Sequence, residues 1–165
     1  MSAKKLTQLS LLTAAALILY VIELRLPSPI PIPGVKLGIA NIITVVAVYR
    51  FTPWETALLV AVRIILGTIF GGSMSAFLFS VSGAVFCLCG MIIIRKLLPE
   101  KQLPLCSVLG AMLHNVGQMA AAVWVMSSFS VLAYLPILLV TGCLSGLFTG
   151  ICAGEVERRI PQIKN

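Results

Sequence analysis

One arginine stands in the middle of an apolar stretch: Arg63, in ALLVAVRIILGTIF. At the centre of a membrane an arginine costs about 2.5–3.5 kcal/mol to insert, so it normally faces a partner or a cavity. Glu23 and Glu55 fall near the ends of apolar runs, and Glu100, Glu155 and Glu157 fall in polar ones, so no carboxylate is at hand at that depth. An anionic ligand or backbone carbonyls are then the natural partners. The alternative is that Arg63 caps a helix end or snorkels toward the headgroups. A second polar group, His114, Asn115 and Gln118, interrupts LGAMLHNVGQMAAAV. His114 and Gln118 are one turn apart and share a helix face, with Gly110 and Gly117 allowing another helix to approach. These side chains either line a pocket or bond their helix to its neighbours. Asn41 lies one turn into another apolar run, with Lys36 just before it, and Glu23 and Arg25 close the first run. Arg25, Lys36 and Arg63 together would make an outward-opening cavity positive, which suits a phosphate, carboxylate or diphosphate. Ordinary headgroup anchoring is the other reading of Glu23, Arg25 and Lys36.

The elements that must position these residues are membrane helices. Hydrophobic residues make up 59% of the 165 and charged residues 10%, with mean hydropathy +1.08, whereas soluble domains are about 25% charged. A single transmembrane domain over 1–165 is expected, as an all-α bundle of six helices at roughly 6–25, 37–50, 54–71, 75–97, 104–127 and 131–153. The first run follows Lys4 and Lys5 like a signal peptide, but it lacks a small-x-small cleavage site and reads as a retained helix. Breaks fall at Thr52-Pro53, Gly71-Gly72-Ser73, Pro99 to Pro104 and Ser127 to Ser130. Between helices 1 and 2 lies PSPIPIPGVKLGIAN (27–41), with proline at every second position from 27 to 33, so no helix runs through it. It reads as a rigid lid over a cavity, or as a plain stiff turn.

The net charge of +7 raises the question of nucleic acid. Placement answers it: Lys4, Lys5, Arg50, Arg95, Lys96, Lys101, Arg158, Arg159 and Lys164, nine of the twelve basic residues, fall on one side of the expected bundle. By the positive-inside rule both termini are cytoplasmic, in a multi-pass protein of the plasma membrane. The basic residues are topology signals and no nucleic-acid partner is expected.

Enzymatic motifs are missing. There is no aspartate, no phosphate-cradling G-x-x-x-x-G-K-[ST] loop and no nucleophile with a recognisable base. Magnesium sites of the aspartate-rich kind are therefore impossible, and an independent enzyme is not expected. With one histidine and five scattered cysteines, neither a metal site nor a cofactor is expected; the cysteines read as small buried hydrophobes. Small residues recur at helix spacing in Ser10-x-x-x-Ala14, Gly67-x-x-x-Gly71 and Gly142-x-x-x-Gly146-x-x-x-Gly150. Most should be internal packing surfaces, while one on helix 1 or 6 could dock a partner protein.

GVKLGIAN (34–41), Arg63-x-x-x-Gly67, the G-G-x-x-S of 71–75 with Ser82-Gly83-Ala84, and H-N-x-x-Q at 114–118 together carry a resemblance. Over nearly the whole chain the sequence resembles the bacterial Gx transporter family, often labelled heptaprenyl diphosphate synthase component I, which is grouped with the S components of energy-coupling factor (ECF) transporters. The resemblance implies a six-helix bundle, a first loop (Pro27 to Lys36) capping an outward-facing pocket, and small residues of helix 1 (Ser10, Ala14) meeting a coupling subunit. It implies capture of an anionic or isoprenoid-like solute outside, with ATPase subunits driving release inside by alternating access. The label implies instead a non-catalytic membrane partner of a soluble prenyl diphosphate synthase subunit. Membrane lipid surrounds the chain on either reading. The expected binding residues are Lys36, Asn41, Arg63, His114, Asn115 and Gln118.

Overall fold

The computed structural model describes residues 3–26, 37–71, 74–99 and 102–159. The expected all-α architecture forms: α1 (Ala3–Arg25), α2 (Asn41–Arg50), α3 (Pro53–Gly71), α4 (Met74–Leu97), α5 (Leu103–Met126) and α6 (Leu135–Arg159). A 3-10 segment, Phe129–Tyr134, leads into α6. Five of the helices are long and apolar enough to cross a membrane, so the chain is a multi-pass membrane protein.

The exception is α2. A helix was expected over 37–50, but residues 37–40 form a turn and α2 has 10 residues. That length rises about 15 Å, half of a hydrocarbon core of about 30 Å. Gly38 makes the turn with φ +71°, a conformation that glycine enters without a Cβ penalty. Its carbonyl accepts from Asn41 N at 2.8 Å and Ile39 accepts from Ile42 N at 3.1 Å, starting the helix. From Ile43 to Val48 every residue is buried. This half-helix is enclosed by protein, which is the setting in which irregular backbone is tolerated at membrane depth. The Pro27–Lys36 lid expectation lies outside the described residues.

Thr52-Pro53-Trp54-Glu55 opens α3 as a capping box. Glu55 accepts from Thr52 N at 3.0 Å, Thr52 Oγ1 accepts from Glu55 N at 3.4 Å, and proline occupies the first helical position. Glu55 also pairs with Lys5 at 3.0 Å, tying the start of α1 to the start of α3. The last helix runs to Arg159, six residues past the expected end at 153. Its polar final turns are held by partners: Arg50 Nε donates to both Glu157 oxygens at 2.9 and 2.7 Å, and Arg159 pairs with Glu155 at 2.7 Å. Arg95 Nη1 donates to the carbonyls of Val48 and Phe51, closing the C-terminus of α2. The basic residues Lys5, Arg50, Arg95 and Arg159 thus gather at one end of the bundle, where three of them also bind helices together.

Close glycine contacts set the helix spacing. Against α5, the α6 stripe lies so near that a Cβ on Gly146 would meet Val108 Cα at 2.7 Å, and one on Gly150 would meet Pro104 Cα at 2.6 Å. Ser107 and Thr149 share a hydrogen bond of 3.0 Å across the same seam. On α3, Gly67 and Gly71 receive Tyr20 and Leu24 of α1. Those two patterns are internal packing surfaces. Ser10 and Ala14, by contrast, are exposed on α1, opposite the buried Leu9 and Ala16. Of the cysteines expected to be buried, Cys87 and Cys106 are, Cys89 is exposed, and Cys143 and Cys152 are half-buried. The departure at Cys89 follows from helix geometry: it turns away from Cys87, onto the apolar outer face that also exposes Val85 and Ile93.

Gly146→Leu should lower the melting temperature in detergent, at a cost of about 1–3 kcal/mol for overpacking, because it meets backbone. Gly154→Leu, where nothing lies within 4 Å, should leave it nearly unchanged. Equal melting temperatures for the two variants would contradict the close α5–α6 approach.

Candidate functional site

At the end of the bundle away from the basic cluster, all six helices converge on a partly open cavity of about 80 Å³. A water needs roughly 10–15 Å³ by this kind of measure, so several waters or one small polar solute fit. The wall is polar. From α1 come Tyr20 and Glu23, from the turn before α2 Gly38, from α2 Asn41 and from α3 Arg63. Ser80 of α4, His114, Asn115 and Gln118 of α5, and Thr141 and Ser145 of α6 complete it.

Arg63 is 8% exposed and neither caps a helix nor snorkels. Its Nη1 donates to Asn41 Oδ1 at 3.1 Å and to Thr44 Oγ1 at 3.3 Å. Both acceptors belong to α2, and among the described residues the partners of Arg63 are side-chain oxygens and not backbone carbonyls. Its Nε and Nη2 groups have no hydrogen-bond acceptor among the described residues. No carboxylate forms a salt bridge with Arg63 among the described residues, although Glu23 lies on the same wall and within electrostatic reach.

On α5 the two readings of the polar group divide residue by residue. Asn115 Nδ2 donates to the Leu138 carbonyl at 2.5 Å, joining α5 to α6, while the residue also lines the cavity. Gln118 Oε1 is buried without a hydrogen-bond partner among the described residues. A buried acceptor left open costs about 1–3 kcal/mol, so a donor delivered from the cavity would relieve it. His114 and Gln118 reach the cavity over Gly83 of α4: a Cβ there would lie 2.8 Å from His114 Cε1 and 2.9 Å from Gln118 Cγ. Opposite Gly83, α5 contributes Gly117, against the Ser82 carbonyl, and Ser82 Oγ donates to the Gly117 carbonyl at 2.6 Å.

Five of the six expected binding residues, Asn41, Arg63, His114, Asn115 and Gln118, therefore share one cavity. Lys36 lies outside the described residues. Arg25 was expected to add positive charge, but it is exposed and not part of the wall: it sits in the last turn of α1, facing outward. Sequence reasoning missed the role of Glu23. Placed at a helix end, it turns inward and accepts from Gly38 N at 2.5 Å. It also missed Tyr20, Ser80, Thr141 and Ser145. Tyr20 and Glu23 stand one turn apart, as do Thr141 and Ser145, but that spacing alone does not mark them as cavity residues.

The family model for heptaprenyl diphosphate synthase component I matches residues 12–156, and the chain belongs to that family. No curated protein and no solved structure matches it.

Because the chain has a single histidine, its imidazole resonances report on the cavity without ambiguity. Gly83→Ala should shift those resonances in nanodisc spectra by displacing His114, while Gly154→Ala should not. Superimposable imidazole signals in wild type and Gly83→Ala would contradict the contact.

Proposed function

We propose that this member of the heptaprenyl diphosphate synthase component I family is a non-catalytic membrane subunit that binds a small solute bearing an anionic group in the Arg63 cavity. The observation that carries the reading is the guanidinium itself: desolvated, bonded on one side to Asn41 and Thr44, and open on the other to a polar cavity. Guanidinium N–H groups pair strongly with carboxylate or phosphate oxygens, and more so in a low dielectric. The N-terminus of α2 begins at the same wall with Asn41 and adds the partial positive charge of a helix start. With the basic end toward the cytoplasm, as the positive-inside rule asks, the cavity opens outward. Asn41, His114, Asn115 and Gln118 then orient the solute by hydrogen bonds. Lys36, one position before the described residues resume, stays a candidate on sequence grounds alone.

Two settings follow, and different observations favour each. The family description favours a membrane component working beside a soluble prenyl diphosphate synthase subunit, which would supply the aspartate-rich catalytic site that this chain lacks. The polar cavity favours capture and release, as in a transporter whose coupling and ATPase subunits dock on the exposed Ser10 and Ala14 side of α1. The family match gives more support to the first setting.

Arg63→Ala and His114→Ala should each weaken retention of a co-purified solute by at least about tenfold, equivalent to about 1.4 kcal/mol, with membrane insertion unchanged. Native mass spectrometry of protein released gently from its membrane reads both the solute and the partners. Full retention in both variants would sink the cavity assignment. Ala14→Trp should abolish co-purification of transport subunits without affecting solute; unchanged recovery of those subunits would remove α1 as the docking face. Recovery with a soluble synthase subunit, and none with ATPases, selects the first setting.

A further inference from the structure

The charges on the cavity wall narrow the ligand further than the presence of an arginine does. Among the described residues the wall carries one permanent cation, Arg63, and one carboxylate, Glu23. Glu23 Oε1 accepts from Gly38 N at 2.5 Å, and its other oxygen accepts no hydrogen bond from the described residues. Gln118 Oε1 is a second acceptor, buried and unbonded among them. Facing these stand the Arg63 N–H groups that have no acceptor among the described residues. The site therefore presents donors at one place and acceptors at another, in a space of about 80 Å³.

A diphosphate fits such a wall poorly. Its several negative charges would all lie within a few ångströms of the Glu23 carboxylate, and like charges repel strongly where water is scarce. A prenyl chain exceeds the cavity, whose wall sets hydroxyls, amides and charges among the apolar Ala40, Ile64 and Ala111. A purely anionic solute would satisfy Arg63 and leave the second Glu23 oxygen and Gln118 Oε1 without a donor from the described residues, at the desolvation cost that unmade hydrogen bonds carry.

We infer that the ligand is a small zwitterion, with its acidic group against Arg63 and a cationic, hydrogen-bond-donating group against Glu23 and Gln118. This rests on the reading of the cavity as the binding site and specifies its substrate class. Ser80, Thr141 and Ser145 line the remaining wall with hydroxyls, which suit a polar backbone between the two charged ends.

Thermal unfolding in nanodiscs tests this with probes of matched size: β-alanine as zwitterion, propionate as anion and inorganic diphosphate as polyanion, at constant ionic strength. β-Alanine should protect wild type at a concentration at least about tenfold below that at which propionate does. Glu23→Gln keeps an oxygen for the Gly38 N–H, removes the charge and turns the other oxygen into an N–H donor, so it should abolish or reverse the preference while the unliganded protein still unfolds cooperatively. Arg63→Gln should lose protection by both. Propionate or diphosphate protecting wild type better than β-alanine, or an unchanged preference in Glu23→Gln, overturns the zwitterion and leaves the anion-binding reading standing. Protection of wild type by none of the three overturns both.

Discussion

A guanidinium inside a membrane protein has to be satisfied, and the construction of this bundle follows from how that is done. Its hydrogen bonds must come from protein, from water in the cavity or from a solute held there. Half of the answer is α2, a helix too short to cross the membrane, which brings Asn41 and Thr44 to Arg63. Starting so short a helix beside the cavity requires irregular backbone there, and the Gly38 turn provides it. That turn is fixed in its own right by Glu23, so one chain of polar contacts runs from the end of α1 through Gly38 and Asn41 to Arg63. The other half of the answer is the cavity.

The two ends of the bundle solve opposite problems. At the basic end, polar groups are closed on one another: the Arg50–Glu157 pair is largely buried, Lys5 pairs with Glu55, and Arg95 covers the carbonyls that end α2. Breaking such a pair by removing one partner costs several kcal/mol, which makes this end a clamp. At the cavity end, polar groups are left partly open, with donors on Arg63 and an acceptor on Gln118 unused among the described residues. Stability is concentrated at one end, and capacity for a ligand at the other. Between them the glycine seams of α5 with α4 and α6 bring backbones close enough for the short contacts that position His114, Asn115 and Gln118.

Much of this was legible in the sequence because a membrane penalises polarity so heavily. Arg63, His114, Asn115 and Gln118 stand out against apolar neighbours, and the helix limits, set by proline and glycine, lie within a few residues of those observed, α2 and α6 apart. The failures have physical reasons. Glu23 sits near a helix end, where a carboxylate usually meets headgroups, and nothing local says that it turns inward toward Gly38. Helix α2 looked longer because Leu37, Ile39 and Ala40 are apolar whether helical or not, and it shows no face because every side is buried. The polar tail of α6 looked like a stop, yet Glu157 finds Arg50 more than a hundred residues earlier. Serines and threonines such as Ser80, Thr141 and Ser145 carry no signal, since a hydroxyl in a membrane helix more often bonds its own preceding turn, as Thr141 also does with Ile137.

The central claim is that Arg63 meets an anionic group within the cavity. Anomalous diffraction from crystals grown in bromide would test it most directly. The account predicts a bromide peak within hydrogen-bonding distance of Arg63 Nε or Nη2, lost in crystals of Arg63→Gln. Bromide confined to the lysines and arginines of the basic end, with Arg63 closed off by protein, would contradict it.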